Sequence, residues 1–203
     1  MFRNTTGIIL SGGTSSRMGE NKALLPLGNK RVIEHITELM QSIFSKVILI
    51  TNTTAEYTFL GLPMFSDIYR VGGPLAGIHS GLENSKTADN FILSCDMPLM
   101  ESGVIKSIVE FKTDKPITVC RSEGHIQHLA GRYSKSILDN TVKLLQVAEL
   151  SLHGKGKHNA NVHSLLHEVG FEIIAAESIS GYHPEFFFNM NNKEDYKKML
   201  SLF

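Results

Sequence analysis

The stretch "GIILSGGTSSRMGENKALLPLG" runs from Gly7 to Gly28, close to the start of the chain. Its first part, within "TGIIL" (6–10), is short, apolar and β-branched, the pattern of a parallel strand covered on both faces. The strand breaks at Gly12 and Gly13, where the backbone can turn sharply and approach a ligand without a Cβ in the way. Their N–H groups are then free to face phosphate oxygens, and Arg17 and Lys22 supply positive charge just behind them. Neither a Walker A loop nor GxGxxG is present, so the two commonest phosphate-binding glycine loops are excluded.

Outward from this stretch, buried strands alternate with helical patterns. A helix is expected over 31–43, where Val32, Ile33, Ile36, Leu39, Met40 and Ile43 share a face. Strands are expected at 46–51 and, more weakly because of Pro63, at 62–66. The segment 72–84 reads as a loop entering a helix, with Pro74 in its first turn. Strand 90–95, helix 102–112 and strand 116–120 follow, and 126–133 pairs back on 116–121 through the turn "SEGH". A helix over 135–149, a polar loop "HGKGKHNAN" (153–161), a helix from the Asn161 cap to Gly170, strands at 171–176 and 186–190, and a closing helix at 192–202 complete the reading. Such alternation predicts an α/β fold, a single-domain Rossmann-like three-layer α/β/α sandwich with a mostly parallel central sheet, spanning 1–203. Ligands in this architecture bind beyond the carboxyl ends of the strands.

Composition narrows the function classes. The 203 residues carry equal numbers of basic and acidic side chains, so net charge does not favour a nucleic acid or an anionic membrane as partner. No apolar run approaches the roughly 20 residues of a membrane span, and a cytoplasmic location is expected. Cys95 and Cys120 lie in apolar runs and read as reduced core thiols. Asp96 directly follows a buried strand, with Pro98 stiffening the turn after it. One strand-end carboxylate facing a triphosphate suffices for Mg²⁺, which takes its remaining ligands from water and phosphate. His163 and His167 stand at i and i+4 but without a third ligand, and a solvated helix face is the expected reading. "GKGKH" (154–158) reads as a plain loop before it reads as a phosphate site.

A strand followed by L-x-G-G-x-S-x-R-M-G, a lysine three residues on, and "ALLPLG" resembles the signature of pyrophosphorylase-type nucleotidyltransferases. Within that superfamily the chain is most similar to the molybdenum cofactor guanylyltransferase (MobA-type) family. "SDIYRVGGPLAGIHSGL" (66–82), "FILSCDMPLM" (91–100) and "FFNMNNKEDY" (187–196) carry the likeness, which thins between 122 and 185. The resemblance implies transfer of a guanylyl group from GTP to molybdopterin, with release of pyrophosphate and Mg²⁺ as cofactor. It implies GTP contacts at Leu10, Ser11, Gly12 and Gly13, Lys22 on the phosphates, Asn52 and Asp67 near base and ribose, and Gly77 on a loop closing the pocket. Arg17, Lys22 and Asp96 take the catalytic roles, Asp96 also holds the metal, and Asn189 and Asn191, alternating along a strand, lie near the second substrate. Whether Asp67 reads guanine or ribose hydroxyls stays open, since a carboxylate accepts from either. A monomer is expected, with other proteins of molybdenum cofactor synthesis as further partners.

Two positions depart from the family pattern. Its usual LAGG is "LSGG" here, with Ser11, and "IQHLAGRY" lacks the proline that often follows His or Gln, which leaves contacts around His128 open. A CTP-dependent or sugar-phosphate-activating sibling, a Rossmann dehydrogenase and a non-catalytic cofactor carrier are the competing readings. The last needs neither Lys22 nor Asp96, and the missing GxGxxG disfavours the dehydrogenase.

Overall fold

The frame of the molecule is a seven-stranded sheet, seen in a computed structural model that describes residues 1–12, 21–152 and 161–203. In chain order its strands are β1 (Phe2–Leu10), β4 (Phe44–Ile50), β5 (Met64–Phe65), β6 (Asp89–Ser94), β7 (Ile117–Ser122), β8 (His125–Ser134) and β9 (Glu172–Ala175); β2 (Pro26–Leu27) and β3 (Lys30–Arg31) form a separate small hairpin. The helices are α1 (Val32–Ile43), α2 (Pro74–Asn84), α3 (Ser102–Glu110), α4 (Leu138–Leu152), α5 (Val162–Val169) and α6 (Lys193–Leu202).

The spatial order is β5-β4-β1-β6-β8-β7-β9. β4 and β6 flank β1 in parallel, β5 runs parallel to β4, and β9 to β7; only β8 is antiparallel, to both β6 and β7. The mostly parallel sheet expected from the sequence is therefore present. The β7–β8 hairpin turns through Glu123 and Gly124, both at positive φ as a two-residue turn of this type demands.

Alternation along β1 builds the three layers. Ile9 faces one side, where Ile33, Ile36 and Met40 of α1 and Val104, Ile105 and Ile108 of α3 pack. Ile8 and Leu10 face the other, against Leu75, Ile78 and Leu82 of α2 and Leu165 and Leu166 of α5. At Gly81 the helix presses onto the sheet: a Cβ there would lie 2.7 Å from Ile8 Cγ2, closer than packed carbon atoms come.

Several expected boundaries shift. β1 starts at Phe2 rather than residue 6, β5 shrinks to two residues at the sheet edge after Pro63, and α4 is preceded by a 3₁₀ turn, Lys135–Ile137. The strand expected at 186–190 does not form. Pro184 opens a 3₁₀ turn, Pro184–Phe187, and the chain then runs irregularly to the Asn192 cap of α6. Phe187 and Met190 bury individually under the sheet edge, so the apolar run "FFF" records packing and not pleating. Among the described residues no helix is long and apolar enough to cross a membrane.

Candidate active site

Register decides what gathers at the carboxyl edge. Leu10 pairs with Ile50 on one side and Ser94 on the other, and Ile50 pairs with Phe65. The residues just past these partners, Ser11 and Gly12, Asn52, Asp67 and Asp96, therefore leave the sheet along one rim. The chain builds outward from β1 to β5 and then crosses back to β6, so β1 is also the point where strand order reverses.

Asp96 and Lys22 meet at this rim. Lys22 Nζ lies 3.3 Å from Asp96 Oδ2 and donates to the carbonyl of Met190 at 3.2 Å. The two side chains are 22% and 16% exposed. Among the described residues no group hydrogen-bonds the buried Asp96 Oδ1. Leaving a buried acceptor unpaired costs about 1–3 kcal/mol, more when it is charged, so this oxygen is open to a donor or a cation. A hard cation fits this oxygen, and a single carboxylate is an adequate protein anchor for Mg²⁺. The neighbouring Cys95 thiol is pushed up to about 11, first by burial and then by the Asp96 charge, and stays protonated at neutral pH. Both cysteines are free and buried.

On the other flank of β1, Asn52 and Asp67 bond reciprocally. Asn52 Nδ2 donates to Asp67 Oδ2 at 2.8 Å, and the Asp67 N–H donates to Asn52 Oδ1 at 2.9 Å. Ser80 of α2 fixes the next residue by accepting from the Ile68 N–H at 2.9 Å. Asp67 Oδ1 is a second buried carboxylate oxygen with no hydrogen-bond partner among the described residues. Burial raises the Asp67 carboxyl above its ordinary value, partly opposed by the Asn52 bond.

Gly77 is not on a loop, as the resemblance implied, but within α2. Pro74 starts that helix straight after Gly73, whose φ of +52° makes the turn. A Cβ at Gly77 would stand 3.3 Å from Leu10 Cδ2 and 3.7 Å from Asp67 Oδ1, so its small size keeps the helix close to both.

Asn189 and Asn191 do not alternate along a strand. They flank Met190, whose N–H donates to the Asp96 carbonyl at 2.9 Å and whose carbonyl takes the Lys22 ammonium. One main-chain bond and one bond from the Lys22 ammonium thus bring both asparagines next to the Lys22–Asp96 pair. Asn189 Nδ2 donates to the Phe187 carbonyl at 3.0 Å, and the Asn191 N–H donates to Asp195 Oδ2 at 2.8 Å in the cap of α6. A cavity of about 470 Å³ opens beside Asn189, lined by Ser122, Glu123, Gln127, Phe187 and Phe188 among others.

Gly13, Arg17 and the stretch 153–160 lie outside the described residues. His163 and His167 rings lie tilted against each other with centroids 4.5 Å apart, and the described residues hold no group of three potential metal ligands. Sequence reading missed Tyr57, Asn21, the Met190 carbonyl and the Ser122–Gln127 wall of the cavity. Only "SEGH" carried a signal, as a turn; the others are brought in by contacts between residues 36 to 168 positions apart.

The MobA-like NTP transferase domain model matches residues 7–159. The chain is 37% identical over 204 residues to a protein of Carboxydothermus hydrogenoformans named probable molybdenum cofactor guanylyltransferase, covering 100% of this chain and 98% of that one. A Flavobacterium johnsoniae protein of the same name is 34% identical over 88% of each chain. Among solved structures, a crystal structure from Aquifex aeolicus is 28% identical with a TM-score of 0.75, covering 93% of this chain and 94% of that one. Molybdopterin-guanine dinucleotide biosynthesis protein A from Archaeoglobus fulgidus shares the fold at a TM-score of 0.78 and 18% identity, with 97% of each chain covered. The chain belongs to the MobA-like NTP transferase family.

Proposed function

We propose that this protein is a Mg²⁺-dependent guanylyltransferase that joins GMP from GTP to the phosphate of molybdopterin and releases pyrophosphate. The observation that carries the reading is a pair of carboxylate oxygens, Asp67 Oδ1 and Asp96 Oδ1, that have no partner among the described residues and stand past strand ends at opposite sides of β1. One suits the hydrogen-bond donors of a nucleoside, the other a cation beside a lysine. The names of the relatives support the acceptor and the nucleotide.

In the reaction an oxygen of the acceptor's terminal phosphate bonds to the α-phosphorus of GTP. The bond from that phosphorus to the β-phosphate bridging oxygen breaks, and pyrophosphate leaves with the electron pair. The nucleophile is already an anion, so no strong general base is needed, and positioning and charge neutralisation do most of the work. Lys22 offsets the charge that builds on the departing pyrophosphate. Asp96 would hold Mg²⁺, which acts when bound as a Lewis acid toward phosphate oxygens. Asn52 orients Asp67, whose free oxygen accepts from guanine N1–H and N2–H₂ or from ribose hydroxyls. The acceptor lies in the cavity beside Asn189, where Phe187 and Phe188 offer apolar walls and Glu123 and Gln127 offer hydrogen bonds.

Pyrophosphate release from GTP, CTP, ATP and UTP, with and without molybdopterin, tests this. Release from GTP alone, dependent on both acceptor and Mg²⁺, is expected. Preference for CTP or for a sugar phosphate would replace the reading by a sibling activity, and no release with any nucleotide would point to a carrier. ITP, which lacks the N2–H₂ donors, and dGTP, which lacks the 2′-hydroxyl, then separate base from ribose recognition by Asp67.

A further inference from the structure

Two hydrogen bonds meet on the hydroxyl of Tyr57. This residue sits in the 3₁₀ turn Thr54–Leu60 between β4 and β5 and is 1% exposed. Its hydroxyl is 2.7 Å from Ser11 Oγ, at the end of β1, and accepts from Asn21 Nδ2 at 2.8 Å. A phenylalanine would fill the same volume, so the informative atom is the oxygen and not the ring. Burial raises the hydroxyl's pKa, partly opposed by its bonds to Ser11 and Asn21, so it stays a neutral phenol that can donate one hydrogen bond and accept others.

Asn21 passes this anchor on to its neighbour. Its amide nitrogen donates to Glu56 Oε2 at 2.7 Å as well as to Tyr57, while Oδ1 accepts from the Ala23 N–H at 3.2 Å. Turning the amide over would set its oxygen against the Glu56 carboxylate, so the orientation is fixed by the partners. In this orientation Asn21 caps the 3₁₀ turn Lys22–Leu24, and the Leu24 N–H donates to the Asn21 carbonyl at 2.9 Å. Ala23 is buried beneath the turn.

The distances say which end of Lys22 is held. Its ammonium makes bonds of 3.3 and 3.2 Å, longer than the 2.7–2.9 Å usual for charge-assisted pairs. At its root, the bonds from Asn21 to Tyr57 and Glu56 are 2.8 and 2.7 Å. The bonds at the tip are longer than those that fix Asn21 at the root. We propose that Tyr57 is a positioning residue for Lys22, its hydroxyl fixing through Asn21 where the lysine enters the rim. Ser11 gives the phenol its second partner, which accounts for the serine of "LSGG". The proposal rests on the reading of Lys22 as a cation for the triphosphate.

Binding of GTP with Mg²⁺ by calorimetry, together with kcat and melting temperature, tests it on the full chain. Lys22→Ala should weaken GTP binding; if it binds like wild type, the nucleotide-site reading fails and the role of Tyr57 falls with it. Given that loss, Tyr57→Phe should lower kcat about tenfold, the effect of one hydrogen bond, while leaving the acceptor KM unchanged. Asn21→Ala should reproduce that change and serves if Tyr57→Phe folds poorly. The decisive arm is the double variant: Tyr57→Phe should add nothing in the Lys22→Ala background, because its effect passes through the lysine. A kcat loss that persists in that background, or a lower melting temperature with kcat unchanged, would leave Tyr57 a structural clamp only.

Discussion

The two halves of the carboxyl rim are assembled by different means. From β5 to β6, four strands in register end together, and the residue types needed at the rim stand one or two positions past each end. On the side of β7 to β9 the cavity is walled by a hairpin turn, a 3₁₀ turn and an irregular segment. In the first half, hydrogen-bonded pairing places the site. In the second, Met190 does so, with a main-chain bond to Asp96 and a bond from the Lys22 ammonium to its carbonyl. Parallel pairing propagates a position from strand to strand, whereas a turn holds its place only through the contacts it finds.

That contrast can be broken most severely at the metal anchor. Asp96→Asn keeps shape but removes the charge and should cut turnover about a thousandfold while the protein melts as before. Near-normal rates would detach the strand-end carboxylate from the chemistry. Across the rim, Asn189→Ala should raise the KM for the acceptor about tenfold and leave GTP affinity unchanged, as expected for loss of one or two hydrogen bonds. Equal losses toward both substrates would merge the two halves into one site.

The smallest effect concerns Asp67. Its carboxyl is raised by burial, so below the ordinary carboxylate range the folded state bears no charge penalty, and stability declines as pH rises through the raised value. Asp67→Asn should therefore raise the melting temperature near neutral pH, by about 1 °C because the residue is partly exposed and water screens it. GTP affinity should fall severalfold in the same variant, measured by calorimetry. A destabilised variant with unchanged affinity would mean that Asp67 serves the fold and not the nucleotide.

The fold was largely legible. Apolar runs at 6–10, 46–51 and 90–95 read as buried strands and are strands, and Pro74 after two glycines marked the start of α2. The reading failed where composition mimicked a strand, at "FFFNM", because aromatic residues pack into a core from a turn as readily as from a pleat. The loop position of Gly77 came from the family resemblance alone, whereas Pro74 in a first turn already placed Gly77 three residues into the helix.

The amino-acid order alone determined the alternation of strands and helices, the glycine break after β1, and the polar residues waiting at strand ends. These are local properties, set by periodicity and backbone freedom within a dozen residues. Tertiary structure alone decided that Lys22 reaches Asp96 and Met190, that Tyr57 holds Asn21 and Ser11, and that two carboxylate oxygens have no partner among the described residues. Each of those depends on which side chains meet across 36 to 168 residues of chain, and a hydrogen bond, unlike a hydrophobic period, leaves no trace in the spacing of the residues that make it.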